Sequence, residues 1–428
     1  MSPRLKWGGS AAVAAAVAVA VVVSGGQDGG GAAPRPPEPS RGHVWVVTGT
    51  CDSTPRRQRT PVALAAAPAE AKACTFDQAW DVANAGDVIG CAAGAYPAQR
   101  VDGAKRAETT FRCEKGTTIA GATECAPEFG STGAFCAYAD NMTLQNVTLD
   151  SGDRVNPSSG AQVRGAGVTF RNVDLHGTVV ALSVDGPDFT WRGGSHGEDG
   201  VVGGPLTCRE PAGVPTWIFK PGATLDGIRF NAKTVQKGAG QYCGDDDVPH
   251  LETIRLEAEA ADTTIANSRF VKGSDAGSGH IFSSVPVSGL TLVNNVFEPV
   301  NGTYSIQAGN PENSGWKLLY NTFMQAGSFT GTGFTWVGNL GVAAPGDCSG
   351  TRIANVWQGE GSCGSDTFAG TSSLGIGAGG HLQDGSPAID AGESDQCTGD
   401  QVAAVDFEGD ARPTGDACDA GADEFTGR

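Results

Sequence analysis

The residues of this chain that could do chemistry gather between His196 and Arg255. Lys237, His250, Glu252 and Arg255 offer bases, a carboxylate and a fixed cation in one stretch. Removing the proton alpha to a uronate carboxylate needs a base and a cation that neutralises that carboxylate. Lys237, His250 and Arg255 are the residues that would serve. The run Asp245-Asp246-Asp247 supplies oxygen ligands of the kind calcium takes, and calcium is the one cofactor these residues suggest. Glycoside hydrolysis needs instead two carboxylates at a defined separation. Glu198 or Asp199 with Asp245 or Asp246 would provide them. Trp217 would stack on a sugar ring, with His196 and Asp199 as polar contacts to the same substrate. Plainer readings stand beside these. Three aspartates after Gly244 make a solvated turn, and His196 before Gly197 suits a turn as well. His250 and Glu252 share the alternation of Ile254 and Leu256, which turns them inward unless a corner intervenes.

A repeat decides what positions these residues. The pattern Thr, apolar, any, Asn, any, any, apolar runs from Thr143 to Leu149 and from Thr169 to Leu175, then again from Thr264 to Phe270 and from Thr291 to Phe297. Weaker copies begin at Thr190, Thr224, Lys317, Thr335 and Arg352. In these, Gly193, Gly227 or Gly338 replaces the Asn, or the Asn shifts by one to Asn321 or Asn339, or it returns as Asn355. Short strands separated by a sharp corner explain the exchange, because Asn and Gly best tolerate the left-handed backbone that such a corner needs. Stacked copies would place the Asn amides in a ladder along the axis. Successive starts lie 26, 21, 34, 40, 27, 26, 18 and 17 residues apart. A rung near twenty residues predicts a parallel β-helix, all-β and right-handed, and the two long rungs carry insertions. These span Gly197 to Pro221 and Asn231 to Ala261, and they hold most of the chemistry-bearing residues. Trp191 and Trp336 fall at inward positions of the repeat, so Trp217 is the expected exposed platform.

Composition narrows the partners. The net charge of −18 excludes nucleic acid, which requires a basic face. Charged residues make up only 18% of the chain while Gly numbers 64, a balance that favours turns and strands over helices. Arg4 and Lys6 precede the apolar run Ala11 to Val23, so residues 1–26 read as a signal peptide or an uncleaved N-terminal anchor. The anchor is the one route to a membrane. Residues 27–50 read as a Gly/Pro-rich linker. All twelve cysteines follow, from Cys51 to Cys418, and an even count in an exported chain predicts disulfides. Spacing pairs Cys348 with Cys363 and Cys397 with Cys418, and Cys208 with Cys243 would join the two insertions. Cys51, Cys74, Cys91, Cys113, Cys125 and Cys136 allow several connectivities.

Two further segments carry a resemblance. Cys74-Thr75-Phe76-Asp77-Gln78-Ala79-Trp80, Ala85-Gly86-Asp87-Val88-Ile89 and Ala93-Gly94-Ala95-Tyr96-Pro97 form an opening similar to that of secreted bacterial right-handed parallel β-helix proteins, the pectate-lyase-like superfamily. It implies a helix over the open end of the coil, then the first strand. Gly385-Ser386-Pro387-Ala388-Ile389-Asp390-Ala391-Gly392, with Asp406, Gly409, Arg412-Pro413 and the run Asp419 to Glu424, resembles the terminal module of many surface-exported members. Its carboxylates read as turn and cap groups. Gly279-His280 matches polygalacturonases in that dipeptide alone; their other motifs are absent, and that assignment fails. The resemblance implies a polysaccharide lyase or hydrolase. A non-catalytic glycan-binding or scaffold β-helix is the competing expectation. The chain is expected to be an extracellular or cell-surface monomer, with a β-helix over 51–380 and a cap over 381–428.

Overall fold

The computed structural model describes residues 44–46, 71–73, 75–126, 131–151, 158–176, 180–197, 216–231, 252–271, 279–300, 304–345, 348–397 and 404–427, all within one compact unit spanning Ser40–Arg428. The expectations on residues 1–26 and on Cys51, Cys74, Glu198, Asp199, Cys208, Lys237, Cys243, Asp245, Asp246, Asp247 and His250 fall outside these residues. Among the described residues no helix is long and apolar enough to cross a membrane.

The chain coils into a right-handed parallel β-helix with one 22-stranded and one ten-stranded sheet. Each middle coil contributes three short strands. One such coil runs through Thr190–Arg192, Ser195–His196 and Thr216–Ile218 before the next begins at Thr224–Asp226. Pairing is parallel and in register, Thr169 to Thr190 to Thr224 to Thr264 to Thr291, as the sequence pattern requires. The structure adds a strand, Val44–Val46, inside the stretch read as a linker; it pairs with Ala71–Ala73 and Val88–Cys91. The alternation of Val44 and Val46 around Trp45 is a strand signal that the neighbouring Gly and Pro obscure.

The corners behave as the repeat predicts. Asn146, Asn172, Asn267 and Asn294 have φ of 61°, 50°, 49° and 52°, and Gly193, Gly227 and Gly338 adopt 66°, 66° and 59°. The shifted asparagines are different. At those corners Tyr320 and Ala354 take the left-handed conformation, and Asn321, Asn339 and Asn355 follow it, fully buried. The last repeat therefore starts at Thr351, not Arg352, because Thr351–Ile353 pairs with Thr335–Val337. Two amide ladders result. An outer one links Asn172 Nδ2 to Asn146 Oδ1 at 3.2 Å and Asn294 to Asn267 at 3.2 Å. An inner one runs Asn295, Asn321, Asn339, Asn355 with amide contacts of 3.0, 3.1 and 2.8 Å.

Inside the coil, inward residues stack by column. Phe230, Phe270, Phe297 and Phe323 lie 4.5, 4.6 and 5.2 Å apart ring to ring. The N-terminal end is covered by the helix Phe76–Val82, whose Phe76 packs 4.9 Å from Phe111 and whose N-cap Thr75 accepts from Gln78 N–H. At the far end Arg352 occupies the core column after Trp336, buried and paired with Asp366 at 2.6 Å. Residues 404–427 lie along the flank of the coil. Ala422 N–H donates to Thr322 Oγ1 and Gly421 N–H to the Gly338 carbonyl. This segment, with Leu374, Leu382 and Ala388, buries Leu340 and Val356 of the larger sheet's outer face. Disulfides join Cys91 to Cys113, Cys125 to Cys136, Cys348 to Cys363 and Cys397 to Cys418. The last two are the pairs that spacing predicts.

Candidate functional site

The outer face of the ten-stranded sheet brings together two described members of the candidate site, Trp217 and Arg255. Its strands Val180–Val184, Thr216–Ile218, Ile254–Leu256, Ile281–Ser283 and Ile306–Ala308 alternate strictly. Leu182, Ile218, Ile254, Leu256 and Ile281 are buried in the core. Ser183, Trp217, Arg255, Phe282 and Gln307 therefore face outward, one above the other on successive rungs. The insertions read from the sequence, Gly197 to Pro221 and Asn231 to Ala261, include the strands that carry Trp217 and Arg255.

Arg255 is the centre of this ladder. Its guanidinium carbon lies 5.8 Å from the Trp217 ring and 5.4 Å from the Phe282 ring, within cation–π range of both. Its Nε donates to Glu257 Oε1 at 2.8 Å. Trp217 meets Phe219 edge-on at 5.7 Å, and Lys220 pairs with Glu259 beside them. Nearer the N-terminus the Tyr138 ring sits between the guanidinium groups of Arg100 and Arg164, at 4.8 and 5.1 Å. This face thus carries three arginines and four aromatic rings in a chain whose net charge is −18. Rungs about 4.8 Å apart make it a linear array suited to an extended polymer.

Two sequence-predicted residues sit elsewhere. His196 points into the core, fully buried, in register with Leu175 and Phe230, and its ring lies 5.8 Å from Phe230. It continues the aromatic column, because its parity in Ser195–His196 is inward, and not the outward face on which Trp217 lies. Glu252 is 1% exposed, on the inward parity of Ile254 and Leu256. A carboxylate so enclosed is not a group that solvent or a polymer reaches. Trp217 and Arg255 are brought together. Phe282 is the residue that sequence reasoning missed, although Ile281-Phe282-Ser283 shows the same in-out-in alternation as Ile254-Arg255-Leu256. Tyr138, Arg100 and Arg164 were missed as well; Arg100 lies on a rung before the first Thr–Asn copy, and Tyr138 and Arg164 follow the ends of their strands.

His280 is also a core residue. Nε2 lies 2.8 Å from the Glu298 carbonyl and Nδ1 3.3 Å from Thr253 Oγ1, with Phe270 packed at 5.3 Å. Burial pushes its pKa down from 6.5 to about 4, partly countered by Glu298. Between those two values the unfolded chain holds more protons than the folded chain, so stability falls as pH drops through 6.5 toward 4. The loss from this one group amounts to roughly 3 kcal/mol. His280→Gln should flatten that limb of a melting-temperature profile recorded by calorimetry against pH.

The C-terminal carboxylates bond to backbone. Asp406 Oδ1 accepts from the N–H groups of Glu408, Gly409 and Asp410, Asp419 from Asp390 and Phe425, and Glu424 from Thr414 and Asp419. Arg412 is buried beneath them, donating to the carbonyls of Asp419 and Gly421. Burial raises the pKa of Asp419 and Glu424, partly offset by these backbone donors. The network holds the flank segment in shape.

No protein-family profile and no curated protein matches the sequence. Among solved structures, the crystal structure of pectate lyase Pel9A aligns over 90% of this chain and 97% of its own, at 14% identity and a TM-score of 0.53. The fold is accordingly the pectate-lyase-like right-handed parallel β-helix. The Azotobacter vinelandii mannuronan C-5 epimerase AlgE6 A-module aligns over 67% of this chain and 90% of its own, at 14% identity and a TM-score of 0.27. A PL6-family alginate lyase, AlyGC, aligns over 74% of this chain and 51% of its own, at 11% identity and the same TM-score, 0.27.

Proposed function

We propose that this chain is an exported protein that binds an acidic polysaccharide along the outer face of the ten-stranded sheet and cleaves it by β-elimination. The observation that carries the reading is Arg255 held between Trp217 and Phe282 on three consecutive rungs. The aromatic rings offer faces to sugar rings, and the guanidinium offers a fixed, planar partner to a uronate carboxylate. Neutralising that carboxylate acidifies the adjacent C–H, which is what elimination requires. Lys237 and His250 are the candidate bases, and Asp245, Asp246 and Asp247 the candidate calcium ligands. The carboxylates that would serve hydrolysis, Glu198 or Asp199 with Asp245 or Asp246, lie outside the described residues, and others on this face are ion-paired or hydrogen-bonded. Glu257 is held by Arg255, Glu259 by Lys220, Asp185 by the Ser183 hydroxyl and Asp102 by Arg100. Export is supported by the N-terminal apolar run and by the disulfides. Burial of Glu252 favours a second reading, binding without turnover, since it removes one partner of the His250–Glu252 pair.

The place of binding is tested by calorimetric titration with an oligogalacturonate and an oligoalginate. Trp217→Ala should weaken binding by about tenfold or more, taking as a guide the about 1–3 kcal/mol per ring that aromatic stacking contributes in single-stranded nucleic-acid grooves. Arg171→Ala, which alters the outer face of the other sheet where Arg171 pairs with Glu108, should leave it unchanged. The opposite pattern would move the site to the 22-stranded sheet.

A further inference from the structure

The flank segment carries a cluster that the polysaccharide reading does not use, and its test is independent of that reading. His381 Nδ1 lies 3.2 Å from Asp423 Oδ1 and 3.4 Å from Glu408 Oε2. One donor atom from each of the three residues falls within 4.8 Å of the others. His381 stands beside Leu382, and Glu408 and Asp423 lie in two stretches of residues 404–427, the parts of the chain that together bury Leu340 and Val356.

We propose that His381, Glu408 and Asp423 form a divalent transition-metal site of the zinc type that ties these stretches together. One imidazole nitrogen and two carboxylate oxygens make a borderline donor set that suits zinc better than calcium. Ligand atoms about 2.1 Å from a tetrahedral zinc stand about 3.4 Å apart, which the two distances to Nδ1 match. A protonated Nδ1 is the plainer account of the cluster, yet that atom carries one proton and here faces two carboxylates. The ligands are also positioned by their surroundings. Asp423 Oδ2 accepts from Leu382 N–H at 2.7 Å, leaving Oδ1 toward His381. Glu408 N–H is held by Asp406 at 2.9 Å, and the Phe407 ring packs 5.5 Å from the imidazole. Asp423 and Glu408 differ in exposure, 8% against 49% for their side chains, so one flank of the cluster is open for a metal to enter.

The test uses tag-free full-length protein, stripped by chelator, and titrated with ZnCl₂ by calorimetry and with CoCl₂ by visible absorption. One saturable zinc site per chain is expected, with a cobalt d–d spectrum of low-coordinate type and a higher melting temperature in zinc. His381→Ala and Glu408→Gln should each weaken zinc binding by about tenfold or more. Glu408 is exposed, so its variant keeps the test decisive if His381→Ala folds poorly. Lack of saturable binding, an affinity unchanged in Glu408→Gln, or displacement of zinc by equimolar calcium would each overturn the proposal.

Discussion

Asn321→Ala is expected to lower stability by about 3–5 kcal/mol, read as a fall in the urea midpoint at unchanged slope. Asn321 Oδ1 accepts from both the backbone and the side-chain nitrogen of Asn295, each at 3.0 Å. Its Nδ2 donates to the Leu292 carbonyl at 2.9 Å and to Asn339 Oδ1 at 3.1 Å. All of these groups are fully buried, so truncation strands two donors and a carbonyl where water does not reach, at about 1–3 kcal/mol each. Asn172→Gly makes the contrast. That corner is exposed, left-handed at φ 50°, and makes one 3.2 Å amide bond to Asn146. Glycine accepts the backbone freely, so less than about 1 kcal/mol should be lost. A cost for Asn172→Gly equal to that for Asn321→Ala would mean that the inner ladder is not special.

Arg255→Ala is expected to reduce turnover of an acidic polysaccharide by about a hundredfold or more, through removal of the group that neutralises charge developing at the carboxylate. The fold should be little affected. The Arg255 side chain is 30% exposed and its partner Glu257 23%, and such half-open pairs contribute about 1 kcal/mol or less. Arg255→Lys keeps the charge but loses the planar fit between Trp217 and Phe282, so an intermediate rate is expected. Steady-state rates beside melting temperatures separate the cases. A rate loss that tracks a collapse in melting temperature would assign Arg255 to structure instead.

The fold was legible because one geometrical need, a left-handed corner on every rung, leaves a chemical mark. Asn and Gly at one place in a period near twenty residues reveal the coil, and the Thr register follows. The inner ladder was misread as a shifted corner, since Asn321 and Asn339 are one residue from it and Tyr320 is not a residue expected at φ 52°. Arg412 over the Tyr320 ring at 5.1 Å and the Tyr320 hydroxyl bond to the Glu393 carbonyl hold that corner from the flank segment, contacts with partners 73 and more residues along the chain. The site was legible only in part. Alternation places Arg255 and Trp217 outward, and the same rule, applied to Ser195–His196, would have turned His196 inward. Proximity to an insertion is weak evidence for exposure when the strand's parity says otherwise.

The most direct test of the central claim is to incubate the full chain with polygalacturonate, alginate and neutral dextran, with and without calcium, while following unsaturated-product absorbance and reducing ends together. The account predicts new absorbance on at least one of the acidic polymers, none on dextran, and its loss in Arg255→Ala. Reducing ends without absorbance would contradict β-elimination, and inactivity of folded protein on every acidic polymer, with no binding to any of them, would contradict the polysaccharide assignment itself.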